Sequence, residues 1–385
     1  MKQVYRYLSQ TNQSYFLFGP RGTGKTTWLK TNYPDAYYID LLSTKLFITY
    51  SSNPERLTEI VEGNPEKKVF IIDEVQRIPS ILTIVHQLIE EKKELQFILT
   101  GSSARKLKRT GTDLLAGRAL LKKCHPFIAA ELGGQFMLES ALKLGMLPLV
   151  IASTKPNEVL YSYAALYIRE EVQSEGLVRN IGSFSRFLEA ISFSHGSILN
   201  VSEVARECSV ERKTVEAYIS ILEDLLLGYK LPIFTKRAKR ILISHSKFYF
   251  CDSGVFQSLR PKGPLDNINE ISGQAIEGLV LQHLTAWIDY SNIYEKVYYW
   301  RTKSGLEVDF IIYGENEFVA IEVKNSDKVK SKELKGLKNF NEDYPEARLL
   351  FLYRGTEKIK KGNILIIPVD IFLKQLVPNK PLYTF

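Results

Sequence analysis

The stretch Tyr15-Phe-Leu-Phe-Gly-Pro-Arg-Gly-Thr-Gly-Lys-Thr-Thr27 decides the fold of the N-terminal part of this chain. Its first four residues are apolar, and Gly19 to Thr26 then follow the spacing G-x-x-x-x-G-K-[ST] before a helical pattern begins. A glycine-rich turn between a buried strand and a helix lets successive backbone N–H groups converge on phosphate oxygens, and the helix N-terminus adds its dipole. The stretch therefore predicts a loop that binds the phosphates of a nucleotide.

Two side chains of this loop carry specific chemistry. We expect Lys25 to reach the β- and γ-phosphates and the Thr26 hydroxyl to bind Mg²⁺. Together with their neighbours they form the expected nucleotide-binding set, which is Gly19, Pro20, Arg21, Gly22, Thr23, Gly24, Lys25, Thr26 and Thr27.

A second apolar segment ends in two carboxylates, because Val69-Phe-Ile-Ile72 is followed by Asp73 and Glu74. We expect Asp73 to complete the Mg²⁺ shell and Glu74 to orient or deprotonate the water that attacks the γ-phosphate. An acidic pair at a strand end is common by itself. Downstream of a phosphate-binding loop it is a strong indication of nucleotide hydrolysis.

Two further features belong to this candidate site. Phe97-Ile-Leu-Thr100 predicts a third strand. At its end, Thr100 or Ser102 is a candidate to sense the γ-phosphate through water. A structural role as a cap of the strand end is an equally weighted alternative. Arg118 follows a glycine in Leu-Ala-Gly-Arg. From the residues alone, it is either an arginine finger for a neighbouring subunit's nucleotide or an ordinary surface arginine in a salt bridge.

The order of these segments predicts the fold class. Apolar segments at 15–18, 36–41, 69–72 and 97–100 alternate with helical patterns such as Ile81–Glu91, which favours an α/β fold with a parallel sheet covered on both faces. An apolar fraction of 45% and a charged fraction of 24% exclude disordered, collagen-like and disulfide-scaffold chains. No apolar run approaches the roughly 18 residues of a membrane span, and the cysteines are widely separated. We therefore expect reduced thiols, no membrane partner and a cytoplasmic protein.

The net charge of +8 at pH 7 suits an anionic partner such as nucleic acid. The excess is concentrated in two clusters, 105–109 and 236–240, each with four cations in five residues. Taken alone, such a run is more often a solvated face than a binding site.

The stretch 199–222 has the layout of a helix-turn-helix. We expect Ser202 to cap the first helix, and the second helix, Arg212–Leu222, to present Arg212, Lys213 and Thr214 to DNA. The basic cluster 236–240 then lies where the wing of a winged helix would be. Because winged helices also bind proteins and this helix region carries Glu211 and Glu216, a protein-binding or structural role stays open.

The segments 305–312 and 317–324 predict two strands of a hairpin. Side chains alternate between the faces of a strand, so Glu307 and Asp309 share one face, and the hairpin brings Glu322 and Lys324 opposite them. Buried charges at this density are unfavourable unless a metal or a substrate pairs them. The pattern therefore predicts a functional charged cluster.

Over nearly its whole length, the chain resembles the AAA-type P-loop ATPases of bacteria and archaea that carry a C-terminal DUF4143-type domain. The resemblance implies ATP hydrolysis by a homo-oligomer, with a hexamer as one arrangement, and makes Arg118 the preferred arginine finger. It provides no position for a second-sensor arginine. The stretches that carry it are GPRGTGKTT (19–27), VFIIDEVQRIP (69–79), ILTGSSARKL (98–107), LLAGR (114–118), HPFIAAEL (125–132), KFYFCDSGV (247–255) and YYWRTKSGLEVDFII…AIEVK (298–324).

The C-terminal cluster resembles the PD-(D/E)xK nuclease core, with Asp309, Glu322 and Lys324 in the motif positions. The resemblance implies that Asp309 and Glu322, with Glu277 from the preceding helix, hold Mg²⁺, and that Lys324 stabilises charge in the phosphoryl transition state. The motif is short, and such domains sometimes keep the fold without the activity. Whether this one cleaves nucleic acid therefore stays open.

These features predict four regions: a P-loop ATPase core at 1–140, a helical lid at 141–195, a winged helix at 196–262 and a restriction-endonuclease-like α/β domain at 270–385. The predicted function is an ATP-hydrolysing motor or switch that binds and remodels DNA, with cleavage as an open further activity. The alternative is a nucleotide-gated regulatory ATPase whose C-terminal domains bind a protein partner and have no nuclease activity.

Overall fold

The computed structural model describes residues 4–102, 115–168, 172–173, 180–236 and 245–383. The chain divides into two compact units. The N-terminal unit is Leu8–His125 together with Asp224–Leu226, and the C-terminal unit contains the residues up to Tyr7, Pro126–Glu223 and the chain from Leu227 onward.

Five strands form the sheet of the N-terminal unit: β1 (Tyr15–Phe18), β2 (Tyr37–Asp40), β3 (Val69–Asp73), β4 (Gln96–Gly101) and β5 (Leu120–Lys123). They are parallel, in the order β2-β3-β4-β1-β5. The helices between them are α1 (Lys25–Asn32), α2 (Thr44–Ser52), α3 (Arg56–Gly63) and α4 (Ile81–Glu91). The predicted α/β class with a parallel sheet is confirmed.

Burial explains why these segments lie at the centre of the unit. Every residue of β1 and β4 is buried, and β3 is buried from Phe70 onward. The rings of Phe70 and Phe97 stack across β3 and β4 with their centroids 5.7 Å apart. Because the strands are parallel, the carboxyl ends of β1, β3 and β4 lie side by side at one edge of the sheet, where ligands bind in folds of this kind.

Short helices begin the C-terminal unit: α5 (Ala129–Leu132), α6 (Leu138–Leu144), α7 (Pro148–Ile151), α8 (Pro156–Ser162) and α9 (Ile181–Ser192), with a π-helical turn at Tyr163–Tyr167. Leu160, Ala164 and Ile168 are buried.

A helix-turn-helix follows, formed by α10 (Val201–Cys208) and α11 (Arg212–Asp224). It packs with an antiparallel sheet in the order β6-β8-β7, whose strands are β6 (Ser197–Ile198), β7 (Gly228–Leu231) and β8 (Lys247–Phe250). The prediction that Ser202 caps the first helix is wrong. Asn200 is the N-cap, because its side-chain oxygen accepts a hydrogen bond from the backbone N–H of Glu203 at 3.2 Å, and Ser202 lies inside the helix.

The last part of the C-terminal unit is a mixed six-stranded sheet. Its strands are β9 (Lys296–Arg301), β10 (Glu307–Tyr313), β11 (Phe318–Val323), β12 (Arg348–Tyr353), β13 (Ile359–Lys361) and β14 (Ile364–Pro368), in the order β13-β14-β12-β11-β10-β9. The helices of this part are α12 (Ser253–Leu259), α13 (Ile268–Ser291), α14 (Lys335–Asp343) and α15 (Val369–Gln375). The predicted hairpin is confirmed, since β10 and β11 are antiparallel with Tyr313 opposite Phe318.

The two basic clusters predicted from the sequence lie largely outside the residues that the structure describes. The basic cluster 105–109 and residues 237–240 of the second cluster lie outside the described residues, and only Lys236 of the second cluster is described. The boundaries at 141–195, 196–262 and 270–385 remain predictions. In the part of the chain that the structure describes, no helix has the length and apolar character to span a membrane.

Candidate functional site: two clusters of buried charge

The predicted phosphate-binding loop joins β1 to α1. Gly22 and Gly24 have φ angles of 79° and 86°, in the left-handed region that glycine adopts without steric cost. Gly19 lies against Cys124, the residue that follows β5, where an added Cβ would overlap the Cys124 carbonyl oxygen and lie 3.1 Å from its Cβ. Glycine at these positions therefore allows both the turn and its close approach to the neighbouring strand.

Lys25, the first residue of α1, is buried and points back into the loop. Its Nζ donates hydrogen bonds to the carbonyl oxygens of Gly19, at 2.7 Å, and Pro20, at 3.3 Å. The Thr23 hydroxyl also donates to the Pro20 carbonyl, at 2.7 Å. These bonds hold the ammonium inside the loop, with neutral acceptors that an anionic phosphate can replace.

Asp73, at the end of β3, is 4% exposed and is surrounded by hydroxyl groups. Its Oδ2 accepts hydrogen bonds from Thr26 at 2.9 Å and from Tyr38, and its Oδ1 accepts one from Thr100. Burial and the Asp73 charge raise the pKa of Tyr38 above its ordinary value, so its phenol remains a donor. Thr26 and Asp73 thus meet as predicted, and their oxygens are the hard ligands that Mg²⁺ prefers.

Glu74 follows the last residue of β3. Its φ angle of 60° lies in the left-handed region, which is uncommon for a glutamate and is a form of strain found at functional sites. Gln76 donates from Nε2 to Glu74 Oε2 at 2.6 Å and to Ser102 Oγ at 3.2 Å. Gln76 is itself buried, so the Glu74 carboxylate is held from one side by a fixed amide.

The two candidates at the end of β4 have different neighbours. Thr100 is fully buried and donates a hydrogen bond to Asp73 Oδ1. Its hydroxyl also accepts a hydrogen bond from the backbone N–H of Glu74 at 3.4 Å. Ser102 is buried and bonded to Gln76. Both therefore connect β4 to the carboxylates at the end of β3.

Arg118 follows the 3-10 turn Leu115–Gly117, and its side chain is 37% exposed. Its guanidinium pairs with the carboxylate of Glu90, from α4, and lowers the pKa of that carboxyl. An exposed pair of this kind contributes little to stability and exchanges readily for another anion. The geometry is compatible with both interpretations of Arg118 that the sequence left open.

The C-terminal unit contains a second cluster, centred on Asp309 of β10. Lys324 Nζ lies 2.5 Å from Glu322 Oε1 and 3.7 Å from Asp309 Oδ2. Asp309 Oδ2 also accepts a hydrogen bond from the Val323 backbone N–H at 2.8 Å. Asp309 is 3% exposed and Glu322 6% exposed. The three residues of the predicted nuclease-like motif are thus brought together.

Lys247, from β8, is the residue of this cluster that sequence reasoning missed. Its Nζ pairs with Glu307 Oε1 and lies 3.8 Å from Asp309 Oδ1 and 3.9 Å from Glu277 Oε2. Arg301 binds the other oxygen of Glu307 at 2.9 Å. A lysine ammonium therefore lies among the carboxylates that were expected to surround a metal ion.

Burial and neighbouring charges shift the pKa values of the side chains in this cluster. Burial, with the nearby Asp309 charge, raises the pKa of Glu277 to about 8, and the same causes raise the pKa of Glu322 to about 8. Burial alone would lower the pKa of Lys247, but Tyr249 and the carboxylates raise it well above its ordinary value. Burial also acts to lower the pKa of Lys324, but the charges of Asp309 and Glu322 outweigh it and raise that pKa. Both lysines therefore carry their charge.

The predicted Mg²⁺ ligands Glu277, Asp309 and Glu322 do not converge. Within the described ranges, no group of three His, Cys, Asp or Glu side chains has an arrangement that could hold a metal ion. The physical reason is that Lys247 and Lys324 lie between these carboxylates. Glu322 Oε2 is buried without a hydrogen-bond partner in this part of the chain, and it is a single oxygen.

The predicted DNA-contacting residues lie at the start of α11. Arg212 and Lys213 are exposed and Thr214 is half-buried. Arg212 Nε pairs with Glu216 Oε1, one turn along the helix, at 3.1 Å. Lys236 lies over the ring of Tyr313, 4.5 Å from its centroid. The surface thus carries cations, and part of their charge is already paired.

Sequence reasoning missed Tyr38, Gln76 and Lys247. Tyr38 and Gln76 occur in ordinary strand and turn positions, and nothing in their spacing distinguishes them. Lys247 offered a signal, because it begins the strand Lys247-Phe-Tyr-Phe250, whose four residues are all buried. A lysine in a fully buried strand needs an acidic partner.

Three family models match the chain. Residues 11–133 match the model described as an AAA domain, and residues 272–372 match the DUF4143 domain of unknown function. The chain has an N-terminal AAA domain and a C-terminal DUF4143 domain. A second domain of unknown function, DUF8612, matches residues 135–266 between them. The predicted resemblance to AAA-type ATPases with a C-terminal DUF4143-type domain is confirmed, and the parallel sheet is the fold of the AAA domain, an ATPase module.

The curated relatives are uncharacterized. Proteins of Mycobacterium bovis and Mycobacterium tuberculosis are each 24% identical over 93% of this chain and 80% of their own length. A Haemophilus influenzae protein is 24% identical over 52% of this chain and 54% of its own length.

Solved structures of the replication initiator DnaA are among those that match. AMPPCP-bound DnaA from Aquifex aeolicus is 14% identical and covers 55% of this chain and 82% of that chain, with a TM-score of 0.28. Domain III of Thermotoga maritima DnaA is 14% identical and covers 50% of this chain and 82% of that chain, with a TM-score of 0.21.

Replacing Gly19 by alanine should disturb the loop of the AAA domain, because the new methyl group meets the backbone of Cys124. We expect a loss of about 1–3 kcal/mol in the free energy of unfolding, measured by denaturant titration, and weaker binding of a fluorescent ATP analogue. The matched control is Gly63→Ala, at the end of α3, where an added Cβ has no neighbour within 4 Å. Equal behaviour of the two variants would contradict the assigned packing.

Proposed function

We propose that this protein hydrolyses ATP in its AAA domain and couples hydrolysis to the binding and remodelling of DNA. The observation that carries the proposal is the cluster at the carboxyl edge of the parallel sheet. There, the hydroxyl of Thr26 meets the buried carboxylate of Asp73, next to Lys25 and Glu74.

Nucleotide binding begins at the loop from Gly19 to Thr26. The loop backbone and the N-terminus of α1 provide N–H donors, and Lys25 exchanges its bonds to loop carbonyls for the stronger, charge-assisted bonds to phosphate. Mg²⁺, when bound, supplies positive charge that neutralises the phosphates. Thr26 and Asp73 are the residues that would hold it.

Glu74 is the group that we assign to the attacking water. Gln76 donates a hydrogen bond to its carboxylate at Oε2, and the backbone of Glu74 has a left-handed conformation directly after β3. A carboxylate fixed in this way can orient water and accept its proton without first reorganising. We assign Gln76 and Ser102 as positioning residues for Glu74.

Arg118 is the residue that we propose as an arginine finger in a homo-oligomer. Its exposed guanidinium is paired with Glu90 in this structure, and an exposed pair is readily replaced by a phosphate. In a neighbouring subunit's site, its charge would stabilise the transition state of phosphoryl transfer.

DNA is the partner that the charge of the protein favours. The net charge is +8, and Arg212, Lys213 and Thr214 lie at the N-terminal end of the second helix of the helix-turn-helix, where DNA contacts are made in such motifs. We propose that this unit acts as a winged helix with the basic residues 236–240 as its wing. The proposed function does not include DNA cleavage, because the carboxylates of the C-terminal cluster are already paired with lysines.

A second candidate is a nucleotide-gated regulatory ATPase whose helix-turn-helix binds a protein. The pairing of Arg212 with Glu216 favours it, since the pairing reduces the charge available to DNA. The two candidates differ in one measurement. DNA should stimulate ATP turnover in the first and leave it unchanged in the second.

Lys25→Ala should abolish nucleotide binding, whereas Glu74→Gln should keep binding and trap ATP, because only the water-orienting step is lost. Equilibrium binding of ATP and steady-state phosphate release would be measured for both. Lys30→Ala, at the exposed end of the same helix, is the control and should behave like the unmodified protein. Wild-type turnover by Glu74→Gln would sink the assignment.

Arg118→Ala and Glu74→Gln should each be inactive alone, and mixing the two should recover part of the ATP turnover. The physical reason is that a subunit with an intact Glu74 then receives Arg118 from its neighbour. Glu90→Gln, which removes the carboxylate charge that pairs with Arg118, is the control and should remain active. No recovery at any mixing ratio would argue against action between subunits.

Neutralising Lys236, Arg237, Lys239 and Arg240 together should weaken DNA binding equally for all sequences. It should also flatten the salt dependence, by about one unit of slope for each DNA phosphate that the variant no longer neutralises. The control changes the charge equally at four exposed lysines of the C-terminal unit, Lys328, Lys332, Lys335 and Lys338. If both quadruple variants had the same affinity and slope as the unmodified protein, the helix-turn-helix would be a protein-binding unit.

A further inference from the structure

Lys247 is a buried cation surrounded by three carboxylates. It is 2% exposed, pairs with Glu307, and lies within 3.9 Å of oxygens of Asp309 and Glu277. These carboxylates come from β10 and α13, whereas Lys247 comes from β8, next to the helix-turn-helix. The Lys247 ammonium therefore lies at the position where positive charge neutralises these carboxylates.

Each carboxylate of the predicted metal set already has a lysine beside it. Glu277 faces Lys247, Glu322 faces Lys324, and Asp309 faces both. Counting Arg301 on Glu307, three cations lie beside the four carboxyl groups of Glu277, Glu307, Asp309 and Glu322. A divalent ion at this position would lie within a few ångströms of two ammonium groups, and the repulsion would be strong at such short range.

The available oxygens do not suit Mg²⁺ either. Mg²⁺ requires near-octahedral oxygen ligands at about 2.0–2.1 Å. Asp309 Oδ2 is engaged by the Val323 N–H at 2.8 Å and by Lys324, and Oδ1 faces Lys247. In the described part of the cluster, the buried oxygen without a hydrogen-bond partner is Glu322 Oε2, and one oxygen cannot replace the missing coordination shell.

The same contacts connect two sheets of the C-terminal unit. Lys247 pairs along its backbone with Ile198 and Leu231 in the three-stranded sheet that packs with the helix-turn-helix. Two residues farther along β8, Tyr249 donates a hydrogen bond from its hydroxyl to Glu277 Oε2 at 3.2 Å. The side chains of β8 thus hold this sheet to β10 and α13 through charge.

We propose that Lys247 takes the place of a divalent cation in the C-terminal cluster, so that the cluster is a metal-independent ion-pair network that fastens the helix-turn-helix unit to the DUF4143 domain. In this arrangement the nuclease-like residues Asp309, Glu322 and Lys324 have a structural role, because their ion pairs help to hold these two parts of the chain together. Removal of the Lys247 charge should create a metal site where the unmodified protein has none.

The test is Mn²⁺ binding by the full-length protein without nucleotide, followed by electron paramagnetic resonance and by thermal melting. The unmodified protein and Asp309→Ala should bind Mn²⁺ equally, since neither uses the cluster. Lys247→Met should melt at a lower temperature without metal and should gain affinity for Mn²⁺ by about a hundredfold or more. The double variant Lys247→Met with Asp309→Ala should lose this gain.

The matched control is Lys230→Met, which removes another lysine from the same small sheet, where it pairs with Glu223 and is 43% exposed. It should gain no Mn²⁺ binding. The proposal is overturned if the unmodified protein binds Mn²⁺ more tightly than Asp309→Ala does, or if Lys247→Met folds and gains no affinity. If Lys247→Met fails to fold, the comparison of the unmodified protein with Asp309→Ala decides the question.

Discussion

Asp73 lies at the end of a buried strand and is 4% exposed. The hydrogen bonds that its buried carboxylate needs determine how the surrounding part of the AAA domain is arranged. Three hydroxyl groups, from Thr26, Tyr38 and Thr100, donate hydrogen bonds to it. They come from α1, β2 and β4, so satisfying one buried charge fixes the phosphate-binding loop against two strands of the sheet. A buried carboxylate without such donors would be strongly unfavourable.

The C-terminal cluster solves the same physical problem with charge instead of hydroxyl groups. Asp309 lies between Lys247 and Lys324 and accepts a backbone hydrogen bond. The difference has a chemical consequence. Neutral hydroxyl donors leave a negative charge that a cation can still neutralise, whereas two ammonium groups leave little charge and much repulsion. For this reason we assign a metal-dependent reaction to the first cluster and a structural role to the second.

Much of the AAA domain could be predicted from the chain, because its signals are local. The predicted strands at 15–18 and 69–72 and the helix Ile81–Glu91 are present, and the second strand extends one residue farther, to Asp73. The cap of α10 was misplaced for a local reason as well. Ser202 and Asn200 are both good capping residues, and only the backbone geometry selects the one whose side chain reaches the Glu203 N–H.

The residues that escaped prediction act across long distances in the sequence. Tyr38 reaches Asp73 from the strand that precedes it, and Lys247 reaches Glu307 and Asp309 across more than one element. By itself, the sequence determined the phosphate-binding loop, the acidic strand end and the order of strands and helices, because each depends on neighbouring residues and their periodicity. Only the tertiary structure decided which groups neutralise each buried carboxylate. That choice depends on which side chains the packing of distant elements places within about 4 Å of the charge.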